Sequence, residues 1–117
     1  MGYITDYTLE IQGTFDTQLL NKELDAITDY NWEFYKDNTY YLCDAKWYNF
    51  DDHILKLSVN HPELVFHLYG VGEDSEDRWV EYYWNGHHSG GQAELIYPSF
   101  DPSLLGDLAT TRPELLI

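Results

Sequence analysis

Apolar and polar residues alternate over residues 3–11, with Tyr7, Leu9 and Ile11 on one side and Thr8 and Glu10 on the other. A period of two predicts a strand with one buried face. Gly13 interrupts it, and Asp16 is placed to cap a helix over residues 17–28, where Leu20, Leu24 and Ile27 fall at i, i+4 and i+7. Residues 32–36 and 39–47 predict a hairpin turned by Lys36-Asp37-Asn38. A second helix starts at Asp51 and Asp52, carries Ile54, Leu55, Ser58 and Val59, and stops near Asn60, because Pro62 disfavours helical geometry at His61. Residues 64–70, 78–84 and 92–97 predict three further strands. Asn85-Gly86 is the hairpin signal between the last two, lengthened into a loop by residues 87–91.

The resulting order, β-α-β-β-α-β-β-β, predicts an α+β fold. Its expected plan is a ferredoxin-like split βαβ: a mixed, mostly antiparallel sheet, two helices on one face, and an added C-terminal hairpin. Pro98, Pro102, Gly106 and Pro113 break up the remainder, so residues 98–117 are expected to wrap the domain irregularly. A length of 117 residues suits a single domain, 1–117, and 44% apolar with 17% aromatic residues is enough to build a core.

Charge changes the picture most. The chain has 21 Asp and Glu against 6 Lys and Arg, a net charge of −15, and the acids are spread over both halves instead of forming a tail. That balance excludes direct binding to nucleic acid or to anionic membranes, both of which need Lys and Arg. It suits a basic protein partner, such as a nucleic-acid-binding protein. No apolar run reaches membrane-span length, Cys43 has no second cysteine to pair with, and Asp6 stands where a myristoylation signal wants Ser or Thr. A cytoplasmic setting is the expectation.

Catalytic and cofactor signatures are weak. Gly70-Val71-Gly72 lacks the third glycine of a dinucleotide loop, and the carboxylates after it would repel a pyrophosphate. The same acids lack the spacing of a Ca²⁺ loop. His53, His61, His67, His87 and His88 show no zinc-binding spacing, and no nucleophile sits in a triad-like context. Cys43 falls inside a strand, where a small buried side chain is the usual role. No catalytic residue, metal site or cofactor is expected, and chelator is expected to leave stability unchanged.

The aromatics and acids of the second half are the better signal. Residues 79–84 carry aromatics on both strand faces, and Tyr and Trp concentrate binding energy while tolerating partial exposure. The expected partner-binding set is Glu73, Asp74, Glu76 and Asp77 in the loop with Trp79, Glu81 and Tyr83 in the strand. Acids at i and i+2 of a strand lie roughly 6.6 Å apart, near the spacing of successive phosphates, so such a sheet can imitate a nucleic acid. Plain solubility is the competing explanation for the same charge.

Residues 47–102 carry Trp47-Tyr48, His61-Pro62, Gly70-Val71-Gly72-Glu73, Asp77-Arg78-Trp79, Asn85-Gly86 and Tyr97-Pro98-Ser99-Phe100-Asp101. In order and spacing this resembles a family of small uncharacterised phage and prophage proteins. The chain departs from that pattern at Gly86-His87, where the family commonly has Gly-Lys, and at an apparent insertion, Ser89-Gly90-Gly91. The resemblance brings no catalytic residues with it; it implies an accessory protein of a phage or mobile element. With the acidity, it leads to the expectation of a non-enzymatic inhibitor of a host defence nuclease, a CRISPR effector or restriction enzyme. An immunity protein capping a basic toxin and a homo-oligomeric accessory protein are the alternatives, and a small hydrolase is the weakest.

Overall fold

A computed structural model describes residues 3–94 and 96–116. In chain order the elements are β1 (Thr5–Gln12), α1 (Thr17–Thr28), β2 (Glu33–Tyr35), β3 (Thr39–Ala45), α2 (Phe50–Asn60), β4 (Val65–Gly72), β5 (Arg78–Trp84), β6 (His87–Gln92) and a four-residue helix α3 (Leu108–Thr111). Short 3₁₀ turns flank α3 at Pro102–Leu104 and Pro113–Leu116. The fold is α+β, with one six-stranded antiparallel sheet and three helices among the described residues.

Strand order across the sheet is β2-β3-β1-β4-β5-β6. The N-terminal strand is therefore central, paired with β3 on one side and β4 on the other. The alternation seen in the sequence sets its faces: Tyr7, Leu9 and Ile11 are buried, and the register aligns Leu9 with Leu68 and Tyr40, and Ile11 with Phe66. Leu20 and Leu24 of α1 and Ile54 and Leu57 of α2 join these strand residues in a single core cluster. Asp16 caps α1 as expected, its Oδ1 accepting from the amides of Gln18 at 3.0 Å and Leu19 at 3.2 Å. In α2, Asp51 and Asp52 occupy the first turn, where the helix dipole favours carboxylates. Leu57 and Ser58 of α2 are buried, whereas Val59, expected on that stripe, is exposed.

Three features differ from the sequence reading. Asn85 (φ 45°) and Gly86 (φ 81°) form the whole turn between β5 and β6 as a two-residue reversal with positive φ at both positions. Residues 87–91, expected as loop, therefore pair with β5, and the expected strand 92–97 is reduced to Gln92; residue 95 lies outside the described residues. Cys43 is exposed, not buried. The register places neighbouring Leu42 against Tyr7 on the core side, so Cys43 turns outward next to an irregularity at Asp44 (φ 54°). Finally, the described residues after 93 do not lie down on the domain. Ile96, Tyr97, Phe100 and Leu104 are all well exposed, and the radius of gyration is 20.6 Å, against about 13 Å for a compact domain of 100 residues.

Candidate protein interface

Strands β4 and β5 define what a partner can reach. Phe66 aligns with Tyr83, Leu68 with Glu81 and Gly70 with Trp79, so Trp79, Glu81 and Tyr83 turn toward the core side. Tyr83 is only 1% exposed, and its hydroxyl donates to Asp51 Oδ1. Burial first, and then that hydrogen bond, push the Tyr83 phenol well above its ordinary pKa. Trp79 is half-buried and stacks on Phe50, ring centroids 4.7 Å apart. It fills the space that Gly70 leaves, since a Cβ at Gly70 would run into the Trp79 indole. Neither aromatic is a free surface anchor: residues 79, 81 and 83 share the parity of the core positions across the ladder.

The outward residues of the same strand are Arg78, Val80, Tyr82 and Trp84. Tyr82 and Trp84 are exposed, with Tyr82 edge-on to His67 at 5.0 Å and Trp84 donating from Nε1 to the Pro62 carbonyl at 2.7 Å. Across the sheet the same face carries Tyr69 of β4, Thr8 and Glu10 of β1, Tyr41 of β3, and Glu33 and Tyr35 of β2. None of these residues belongs to the core cluster, and Tyr35, Tyr41, Tyr82 and Trp84 are all exposed. Alternation could have found this set, had the buried face been known in advance.

The acidic loop sits at one end of this sheet. Its backbone is tied by Gly72 N–H to the Asp77 carbonyl at 2.8 Å and Asp77 N–H to the Asp74 carbonyl at 3.0 Å. Glu73, Asp74 and Glu76 are exposed, while Asp77 is half-buried and accepts from Gln92 Nε2 at 3.2 Å. Asp74, Ser75, Glu76, Asp77, Gln92 and Ala93 line an open depression of about 820 Å³. Among the described residues, the only Lys or Arg ion pair to a carboxylate is Arg112 with Glu114, so the loop's charge is not neutralised from within.

A second polar group lies on the other side of the sheet. Donor atoms of Asp51, Glu81 and His88 fall within 4.8 Å of one another, with Asp51 and Glu81 half-buried and His88 exposed. His88 Nδ1 is 3.3 Å from Glu81 Oε2, and its ring stacks over Tyr83. These residues are 30 and 7 positions apart in the chain, so no spacing motif announces them. Among the described residues no helix is long and apolar enough to cross a membrane. Comparisons with protein families, with curated proteins and with solved structures found no match.

Proposed function

We propose that this chain is a non-enzymatic binding protein that presents the outward sheet face and the acidic loop to a basic, nucleic-acid-binding protein. The observation that carries this reading is the outward face itself. Tyr35, Tyr41, Tyr82 and Trp84 stand exposed on it, interleaved with Glu10 and Glu33 and bordered by Glu73, Asp74 and Glu76. Exposed Tyr and Trp supply contact area at low entropic cost, and unneutralised carboxylates steer a basic partner into register. The depression beside Asp74, Glu76 and Asp77 suits a Lys or Arg side chain of that partner. With the resemblance of residues 47–102 to phage proteins, the reading narrows to a phage or mobile-element inhibitor of a host defence nuclease, acting in the host cytoplasm by occupying a nucleic-acid cleft.

The underlying scaffold is read as ferredoxin-like. The order β2-β3-β1-β4 supports that plan, with β3 separating β1 from β2 and β1 separating β3 from β4, and so does the shared core of α1 and α2. A homo-oligomeric accessory protein is the second reading. It is favoured by the exposed Ile96, Tyr97, Phe100 and Leu104 of the C-terminal segment.

The test is affinity capture from a bacterial lysate, followed by association kinetics and a nuclease assay with the captured protein. Replacing Glu73, Asp74, Glu76 and Asp77 with Gln or Asn is expected to slow association at low salt, and physiological salt to do the same, since charges are screened beyond about 8–10 Å. Tyr82→Ala or Trp84→Ala is expected to speed dissociation. An unchanged on-rate for the neutralised variant refutes the acidic-surface reading, and light scattering that reports a stable oligomer supports the second.

A further inference from the structure

We propose that Asp51, Glu81 and His88 form a binding site for a single divalent transition-metal ion of the Zn²⁺ class, bridging the start of α2 to the β5-β6 edge of the sheet. The three ligand atoms come from a helix and two strands, not from loops, and all lie within 4.8 Å of one another. An ion with Zn–N and Zn–O bonds of about 2.0–2.2 Å sets neighbouring donors roughly 3.4 Å apart in a tetrahedral arrangement. His88 Nδ1 and Glu81 Oε2 already stand 3.3 Å apart.

The surroundings hold these ligands as a metal site requires. The Tyr83 hydroxyl donates to Oδ1 of Asp51, which orients the carboxylate. The Tyr83 ring also supports the imidazole, centroids 6.1 Å apart and planes 28° from parallel. Gly90 aligns with Glu81 across the ladder, and a Cβ there would sit 2.8 Å from Glu81 Cα and 3.0 Å from its carboxyl carbon. The glycine thus leaves the space in which the Glu81 carboxylate turns inward.

The charge at the site suits a cation. Two half-buried carboxylates lie within 4.8 Å of one another, and among the described residues no Lys or Arg pairs with either. A divalent ion held between them would offset their mutual repulsion more fully than the exposed His88 imidazole, which pairs with Glu81 alone. One imidazole with two carboxylates is a borderline set that suits Zn²⁺ over Mg²⁺ or Ca²⁺, and three protein ligands leave a position for water. The site does not rest on the partner-binding reading, because it occupies the opposite side of the sheet.

Isothermal titration of the chelator-treated full chain with Zn²⁺ alone tests it. The expected result is one ion per chain, with Glu81→Gln and His88→Gln each weakening binding at least about tenfold. His87→Gln is the control: His87 aligns with Trp84 on the outward face, and binding should change less than about twofold on its removal. Thermal melts in EDTA establish that the variants are folded; His88 is exposed, so His88→Gln decides alone if Glu81→Gln does not fold. The proposal is overturned if the wild-type chain takes up no Zn²⁺, if both variants bind as the wild type does, or if His87→Gln is the variant that loses binding.

Discussion

Two buried tyrosines differ in one respect that mutagenesis can isolate. Tyr40 is 0% exposed and Tyr83 1%, and both belong to the core cluster. The Tyr83 hydroxyl donates to Asp51, whereas the Tyr40 hydroxyl is buried without a partner among the described residues. Replacing Tyr83 with Phe keeps the ring and removes a hydrogen bond to a charged acceptor, a loss of about 1.5–3 kcal/mol. Replacing Tyr40 with Phe removes a hydroxyl that was desolvated without return, so stability should hold or rise by about 1 kcal/mol. The two substitutions have identical chemistry and should differ by roughly 1.5–4 kcal/mol. At about 4 °C per kcal/mol, between the values for domains of 60–100 and 150–250 residues, the melting temperatures separate by roughly 6 °C or more. Urea unfolding followed by tryptophan fluorescence gives both values. Adding Asp51→Asn to each variant completes a cycle in which only the Tyr83 pair should couple, by more than about 0.5 kcal/mol. Equal costs for Tyr40→Phe and Tyr83→Phe, or no coupling to Asp51, would refute the assignment of Tyr83 as an inward residue fixed by α2.

Gly70→Ala places a methyl against the Trp79 indole, which is itself stacked on Phe50, and should cost about 1–3 kcal/mol, read as a lower urea midpoint. Ending the chain after residue 97 removes segments in which no described residue is fully buried, so the melting temperature should shift by no more than the equivalent of about 0.5 kcal/mol. Alkali should destabilise the protein. Burial pushes Tyr7 and Tyr40 up to about 12 and Tyr83 higher still, so above about pH 10 the unfolded chain releases phenolic protons that the folded one keeps. The stability from these groups is complete below pH 10 and is lost as pH climbs toward 12. Urea midpoints at pH 9, 10 and 11 should fall more gently in Tyr83→Phe than in the wild-type chain.

Much of the scaffold could be read from local chemistry. The alternation through Tyr7, Leu9 and Ile11, the Asp16 cap and the stop before Pro62 each have a short-range cause, and each element forms where that cause puts it. The exposed sheet face was less legible because Trp79, Tyr82, Tyr83 and Trp84 place aromatics on both sides of one strand. Only the pairing of Tyr83 with Phe66, between distant segments, decides which side is covered. Residues 87–91 show the limit of composition: His87, His88, Ser89, Gly90 and Gly91 have weak strand preference, yet pairing with β5 makes them a strand. Asp51, Glu81 and His88 meet only after α2 packs beside β5, which no linear motif records.

The central place of β1 has a consequence for how the chain folds as it is made. Its first partner, β3, emerges some 35 residues later, and Gly72, which pairs with Thr5, follows 67 residues behind it. At translation speeds of about 5–20 residues per second, the second edge of β1 waits roughly 3–13 s for β4. During that interval an apolar face and an unpaired edge stand open to neighbouring nascent chains. Asp6 and Glu10 lie along that strand, and on a chain this acidic every copy in a polysome repels the next. The negative charge can therefore act as a guard on synthesis before any partner is met.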